Sequence, residues 1–406
     1  MITNKLRRKK WFKSLVTILI ILFTLITLPY YCTKIYDFID PQPFKGNFFY
    51  NPYSDLSANW IKANFHAHSR TFGGIAKGEN SVNELVERYN YLGYNLISIS
   101  NYNQTAPKNK NQQLYITAYE HGINTNWTHQ LAINSKKSTV FDFPFLQCIS
   151  HKQLIINKLK HTGAMVALAH PAFKHSYRPD DLKYLTDYDF IEGLSPMATS
   201  VAEWDACLSY GHAVWLLGND DSHGISDGNN GICWTMISAD SMSEDCILQS
   251  LRQGACYATR GWLGKEMNRI LSVSILDNTY ELVLEKASDS IILKSNWGKT
   301  VKTVTGKNKI SYHIKPSDSY LRAEIFDTEP WNNYTRMYLN PVIRTTDGTL
   351  VKHSNYYEIN VLKTISFIML LLIMHGLGIY LLYFINFKRV NTSLQPDIKK
   401  EISKIT

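Results

Sequence analysis

What the middle of this chain lacks is net charge. The formal charge is +9 over 406 residues, of which residues 1–13 carry +6 with no acid and residues 388–406 carry +3. Everything between those tails is neutral. A basic total suggests a nucleic-acid partner only when the charge is spread through the fold. Here it sits in the tails, and no basic–aromatic stripe runs through the rest, so no nucleic-acid partner is expected. Cysteine is sparse: Cys32, Cys148, Cys207, Cys233, Cys246 and Cys256 show no Cys-x-x-Cys spacing, and several sit in apolar runs as buried free thiols would. No repeat or low-complexity tract appears. The first apolar run ends Leu-Pro-Tyr-Tyr-Cys without a small-x-small cleavage site, which makes it an uncleaved anchor rather than a signal peptide.

Two runs do stand out. Residues 14–31 carry no charge, and residues 364–387 carry none apart from the titratable His375. Each is near the roughly 20 residues that cross a bilayer. Lys and Arg precede the first run and follow the second, which places both termini in the cytoplasm and residues 35–360 outside. His375, beside Gly376 and Gly378, reads as a neutral histidine at a helix contact. The expected organisation is a basic tail (1–13), a span (14–34), an irregular lead-in (35–58), a catalytic domain (59–268), a β-sandwich-like domain (269–355), a second span (361–387) and a cytoplasmic tail (388–406).

From Trp60 onward, strands and helices alternate. A strand at 60–66 leads to a helix opened by the capping box Ser81-Val-Asn-Glu84, then to a strand at 95–100. Strands follow at 114–119, 129–134, 164–169, 190–194, 213–217 and 255–259. Helices are expected from Ser150, again through a capping box, and at 180–186, 202–209 and 243–253. That alternation predicts an α/β fold with a parallel barrel or open sheet. After residue 269, short alternating strands predict a small all-β domain.

The chemistry-bearing residues fall at strand ends. His66 and His68 end the first strand and, two apart, project to one side. Glu120 ends another strand and His129 opens the next. His170 ends a third, and Asp221 and His223 follow a fourth. In barrels of this kind, chemistry sits at the C-terminal strand ends. Histidine with carboxylate suits zinc, manganese or iron. Two such ions can generate hydroxide and polarise a phosphoryl or carbonyl oxygen.

Taken in order, FHAH at 65–68, AYEHG around Glu120, HQLAI from His129, LAHP at 168–171 and GNDDSH at 218–223 resemble the PHP family, named for polymerase and histidinol phosphatase. LRQGACYATRG and the β region after it are similar to a branch that includes carbamate-cleaving relatives. The resemblance implies a distorted (β/α)7 barrel of PHP type followed by a small β domain. It also implies a hydrolase that acts on phosphoesters with a metal-bound hydroxide. His66, His68, Glu120 and Asp221 would hold one divalent ion, and Glu120, His129 and His170 a second. Asp221 and His223 would act catalytically. Asn101-Tyr102 stands where the family usually has Asp-His, so two ions rather than three are expected. Asn101 and Arg178 are candidate substrate contacts. The expected partners are a small-molecule or surface phosphoester and the membrane. An amidohydrolase-like carbamate or amide hydrolase, or a metal-retaining receptor or scaffold, are the alternatives.

Overall fold

The computed structural model describes residues 2–57, 59–71, 78–226, 228–261, 268–328, 334–350 and 357–386. The expected tail at 388–406 and Gly73-Gly74 lie outside the described residues. In chain order the elements are α1 (Ile2–Thr27), β1 (Tyr36–Phe38), β2 (Phe48–Tyr50), β3 (Trp60–Asn64), α2 (Val82–Tyr91), β4 (Leu96–Ile97), β5 (Ala118–His121) and β6 (Gln130–Ile133). There follow α3 (Ile149–Lys160), β7 (Met165–Leu168), α4 (Pro179–Tyr184), β8 (Phe190–Leu194), α5 (Val201–Ser209), β9 (Trp215–Gly218), β10 (Cys233–Ser238), α6 (Glu244–Gln253) and β11 (Cys256–Arg260). The rest are β12 (Ile270–Leu276), β13 (Thr279–Ser295), β14 (Lys299–His313), β15 (Tyr320–Thr328), β16 (Tyr334–Leu339), β17 (Val342–Thr345), β18 (Tyr357–Ile359) and α7 (Val361–Asn386).

The chain divides into two compact units. One comprises Met1–Asp37, Phe143–His151 and Glu358–Thr406. The stretch Trp11–Cys32, which runs from α1 through the turn after it, and the stretch Val361–Phe384 in α7 are both long and apolar enough to cross a membrane. The helices meet at His375, whose Nε2 lies 2.9 Å from Thr27 Oγ1 and whose Nδ1 lies 2.6 Å from the Tyr31 hydroxyl. Both ring nitrogens are thus satisfied inside an apolar helix pair, as burial of a polar group demands. In the same unit His151 Nε2 lies 3.0 Å from Thr33 Oγ1, and its ring stacks on Phe143 at 4.1 Å.

The second unit, Phe38–Asp142 and Lys152–Tyr357, is built on two curled sheets. One runs β5-β6-β7-β8-β9, antiparallel through β7 and parallel from β7 to β9. The other is 11-stranded, with the path β12-β13-β15-β16-β11-β10-β3-β4. Side chains stitch β3 to the segment after β9: Asn219 Oδ1 accepts from Phe65 N at 2.8 Å, and Asn64 Oδ1 accepts from Asp220 N at 2.9 Å. The core between the sheets gathers Ile61, Ala63, Leu131, Ala167, Phe190, Leu217 and Ile237.

Two expectations need correction. The pairing is mixed rather than parallel throughout: β5, β6 and β7 pair antiparallel, and β10, unforeseen, runs antiparallel to both β3 and β11. The strands after residue 269 also do not form a separate sheet. β16 pairs with β11, Tyr257 opposite Leu339, so the later strands extend the same sheet and cover what would be an open hydrogen-bonding edge. The Ser81 capping box is present. The one expected at Ser150 is not. Helix α3 begins at Ile149, and the Ser150 hydroxyl instead accepts from Tyr36 N. All six cysteines are free, with Cys207, Cys233 and Cys256 buried.

Candidate metal centre

Strand ends and the loops that leave them bring the predicted ligands together. Gly218 closes β9, where a Cβ would meet Trp234 O at 2.7 Å. Only glycine lets the backbone come this close, and Asn219, Asp220 and Asp221 follow from that point. His66 Nε2 lies 3.3 Å from Glu120 Oε2 and 3.1 Å from Asp221 Oδ1. His68 Nε2 lies 3.1 and 3.3 Å from the same two oxygens. On the other side, Glu120 Oε1 lies 2.6 Å from His129 Nδ1 and 3.3 Å from His170 Nε2. The two groups, His66–His68–Glu120–Asp221 and Glu120–His129–His170, each offer ligand atoms within 4.8 Å of one another, and all six residues are buried. Glu120 belongs to both, one carboxylate oxygen to each.

The donor set fits divalent metal. His66 Nε2, His68 Nε2, Glu120 Oε2 and Asp221 Oδ1 are buried without a hydrogen-bond partner among the described residues. Such orphaned atoms are costly unless something else engages them. The electrostatics agree. Burial alone would raise the Glu120 pKa, but the His129 and His66 charges hold it well below the usual carboxylate range. Asp221 is likewise held down against burial, by His66 and His68. Burial would lower His66, yet Asp221, Glu192 and Glu120 carry it well above the ordinary histidine value. Anionic oxygens thus remain at the centre, ready for a cation.

Backbone strain gathers around the same centre. Asn103 (φ 52°), Trp127 (φ 56°), His170 (φ 31°), Lys174 (φ 50°), His175 (φ 52°) and Asp221 (φ 45°) adopt left-handed conformations. Strain of this kind persists where surrounding contacts enforce it, and it clusters at functional sites.

The remaining sequence candidates lie differently. His223 stacks on His68 at 4.5 Å, and its Nδ1 donates to Asp221 O at 3.0 Å. Burial and the His68 charge lower its pKa. Tyr102 lies flat on His68 at 4.6 Å and edge-on to His129 at 5.7 Å. Asn101 is not brought into the cluster: its side chain accepts from Ser69 N and donates to Ser69 Oγ, both at 2.8 Å. Arg178 is exposed and precedes α4, its backbone N donating to Asp181 Oδ2. Asp220 faces away from the ligands and accepts from Gly231 N, Ile232 N and Cys233 N.

Sequence reasoning missed Glu192. It sits in β8, fully buried, and accepts from His66 Nδ1 at 2.9 Å, His170 N at 3.0 Å and Asn219 Nδ2 at 2.9 Å. A carboxylate that receives the far ring N–H of a ligand histidine fixes its tautomer and presents the other nitrogen outward. The available signal was a lone acid inside the apolar stretch Phe190–Leu194.

No family model matches the chain, and no curated protein matches it. Solved structures resemble parts of it, among them the following two. One is a two-domain Bacteroides vulgatus protein containing a predicted PHP-like metal-dependent phosphoesterase. It is 15% identical with a TM-score of 0.38, over 78% of this chain and 98% of that one. The other is a lesion-specific endonuclease from Pyrococcus furiosus, 16% identical with a TM-score of 0.35, over 48% of this chain and 56% of that one.

Proposed function

We propose that the chain is a PHP-type metal-dependent hydrolase, held in a membrane by two spans with its site on the extracytoplasmic side, and that it cleaves phosphoesters. One observation carries the metal-dependent reading: Glu120 turns one oxygen to His66 and His68 and the other to His129 and His170, at the centre of a buried set of orphaned donors. The phosphoester preference rests on the ordered motif resemblance, and the topology on the charge of the two tails.

When bound, two divalent ions would supply Lewis acidity and an activated water. His66, His68 and Asp221 would hold one ion and His129 and His170 the other, with Glu120 shared. Glu192 keeps His66 in the tautomer that presents Nε2. Asp221 also orients the attacking water. His223, anchored through Nδ1 to the Asp221 carbonyl, presents Nε2 to the substrate, and only its imidazolium form would hand a proton to the leaving group. Tyr102 covers His68 where the resemblance calls for a further ligand. That favours a metal-retaining binding protein as the second reading.

Metal content and turnover of the full chain in detergent, loaded with manganese or zinc, test this. About two ions per chain with turnover of p-nitrophenyl phosphate or its diester supports the proposal. Turnover of a carbamate or an amide instead moves the assignment to that class. Bound metal without turnover of any of them favours the binding protein, and no bound metal sinks the hydrolase.

A further inference from the structure

The outer face of the β3–β10–β11 sheet carries a second site, remote in chemistry from the metal ligands. Along β3 the side chains alternate: Ile61 and Ala63 enter the core, while Trp60 and Lys62 face outward. Trp234 from β10 and Tyr257 from β11 stand on the same face, and with Trp60 and Lys62 they line a cleft of about 410 Å³. That volume suits a small ligand. The rim is built by hydrogen bonds. Glu285 N donates to Arg269 O at 2.9 Å, and Asn268 ties itself to Lys286 through two bonds, at 3.1 and 2.8 Å. Arg269 and Lys286 therefore border the cleft on a fixed frame.

Lys62 is the anomaly. Its Nζ lies 4.2 Å from the Tyr94 ring centroid and 4.5 Å from that of Trp234, and it donates to Leu92 O at 3.1 Å. Among the described residues no carboxylate pairs with it. Burial pushes its pKa down to about 8 against the pull of Asp220. An ammonium lodged this way is held at a cost that an incoming anion would relieve. Arg269 and Lys286 also have no ion-pair partner among the described residues, and Glu285 is the one acid in the lining. The lining thus carries three cations against one carboxylate, a surplus that matches a dianion. Trp60, half-buried, supplies an apolar wall, backed by the buried Tyr257 with ring centroids 5.0 Å apart.

We propose that this cleft binds a phosphate monoester carried on a ring, with the phosphate at Lys62, Arg269 and Lys286 and the ring against Trp60. Nucleotides and sugar phosphates share this chemistry. The assignment does not depend on the hydrolase reading.

Calorimetric titration of the full chain in detergent with EDTA present tests it. The probes are AMP and glucose 6-phosphate, with adenosine and inorganic phosphate as controls lacking one half of the ligand. Saturable binding of either phosphate ester at least about tenfold tighter than both controls is expected. Which ester binds more tightly identifies the ring. Arg269→Ala and Lys286→Ala, both exposed, should each weaken binding severalfold, Lys62→Met by about tenfold or more, and Lys62→Arg less. His66→Ala should leave it unchanged. Lys62 also caps the end of α2 through Leu92 O, so thermal unfolding of Lys62→Met is measured alongside. Four results overturn the proposal: no saturable binding below about 1 mM, adenosine or phosphate binding as well as the esters, affinity unaffected by the Arg269 and Lys286 variants, or affinity lost in His66→Ala.

Discussion

Two buried groups of charged side chains in the same unit answer the cost of burial in opposite ways. Around Arg322 every charged group has a hydrogen-bond partner. Its Nε and one terminal nitrogen donate to the two oxygens of Asp205 at 2.7 and 2.6 Å, the other donates to Glu324 at 2.8 Å, and the Tyr320 hydroxyl adds a bond to Asp205. Around Glu120, four polar atoms face one another at 3.1–3.3 Å with no hydrogen bond between them. A network that closes on itself joins α5 to β15 and needs nothing further. A network left open has been shaped for something that the chain does not encode. Burial and charge, which the two share, do not separate structure from function; satisfaction does.

The sharpest way to break this contrast is Glu120→Ala. Metal content should fall from about two ions per chain to less than one, and turnover about a thousandfold, some 4 kcal/mol of barrier. Unchanged metal content would mean that the open network is not a metal centre. Next comes Arg322→Met, which strands Asp205 and Glu324 in the core. Loss of about 3–5 kcal/mol of stability in thermal or denaturant unfolding is expected, with metal per folded chain unchanged. If metal loading falls as well, the two networks are not independent. Glu192→Gln should cost about 10- to 100-fold in metal affinity, read by competition with a chelator, while the fold persists. A smaller loss would show that Asn219 and the backbone suffice to orient His66.

The smallest effect concerns a third buried arrangement, the neutral histidine His151. Its Nε2 lies beside Thr33 Oγ1, its Nδ1 accepts from Cys148 N, and burial holds its pKa down to about 4. A depressed folded-state pKa contributes stability that is complete above the ordinary value of about 6.5 and is lost as pH falls through about 4. Amide exchange in the segment Phe143–His151 should therefore quicken as pH drops through that window, after correction for intrinsic rates. His151→Phe should remove the pH dependence. A pH-independent His151 parent would show that the ring charges without consequence.

The sequence disclosed the residues of the buried cluster better than the architecture that carries them. His66, His68, Glu120, His129, His170 and Asp221 were legible because each stands at the edge of an apolar run, where a polar residue is conspicuous. Glu192 was not, because one acid inside a strand has no periodicity to announce it, and its partners are 126, 22 and 27 residues away in the chain. Strand β10 was overlooked because the β–α alternation led one to expect a helix between strands there. Joining the late strands to β11 through β16 depends on backbone pairing, which side-chain patterning does not record. Asn101 read as a site residue because Asn101-Tyr102 stands where the resemblance calls for Asp-His, but both halves of its amide are committed to Ser69.

Glu192 has one more consequence, visible by counting charge. With Glu120 and Asp221 it places three carboxylates in one dry pocket, whereas two divalent ions would bring four positive charges. The loaded pocket would be one charge in surplus, which a bound hydroxide or an incoming anion would cancel. Under the proposed phosphoester reading, such a site would draw an anionic substrate readily and part reluctantly from inorganic phosphate. Departure of the product, rather than the breaking of the bond, would then set the pace of the enzyme.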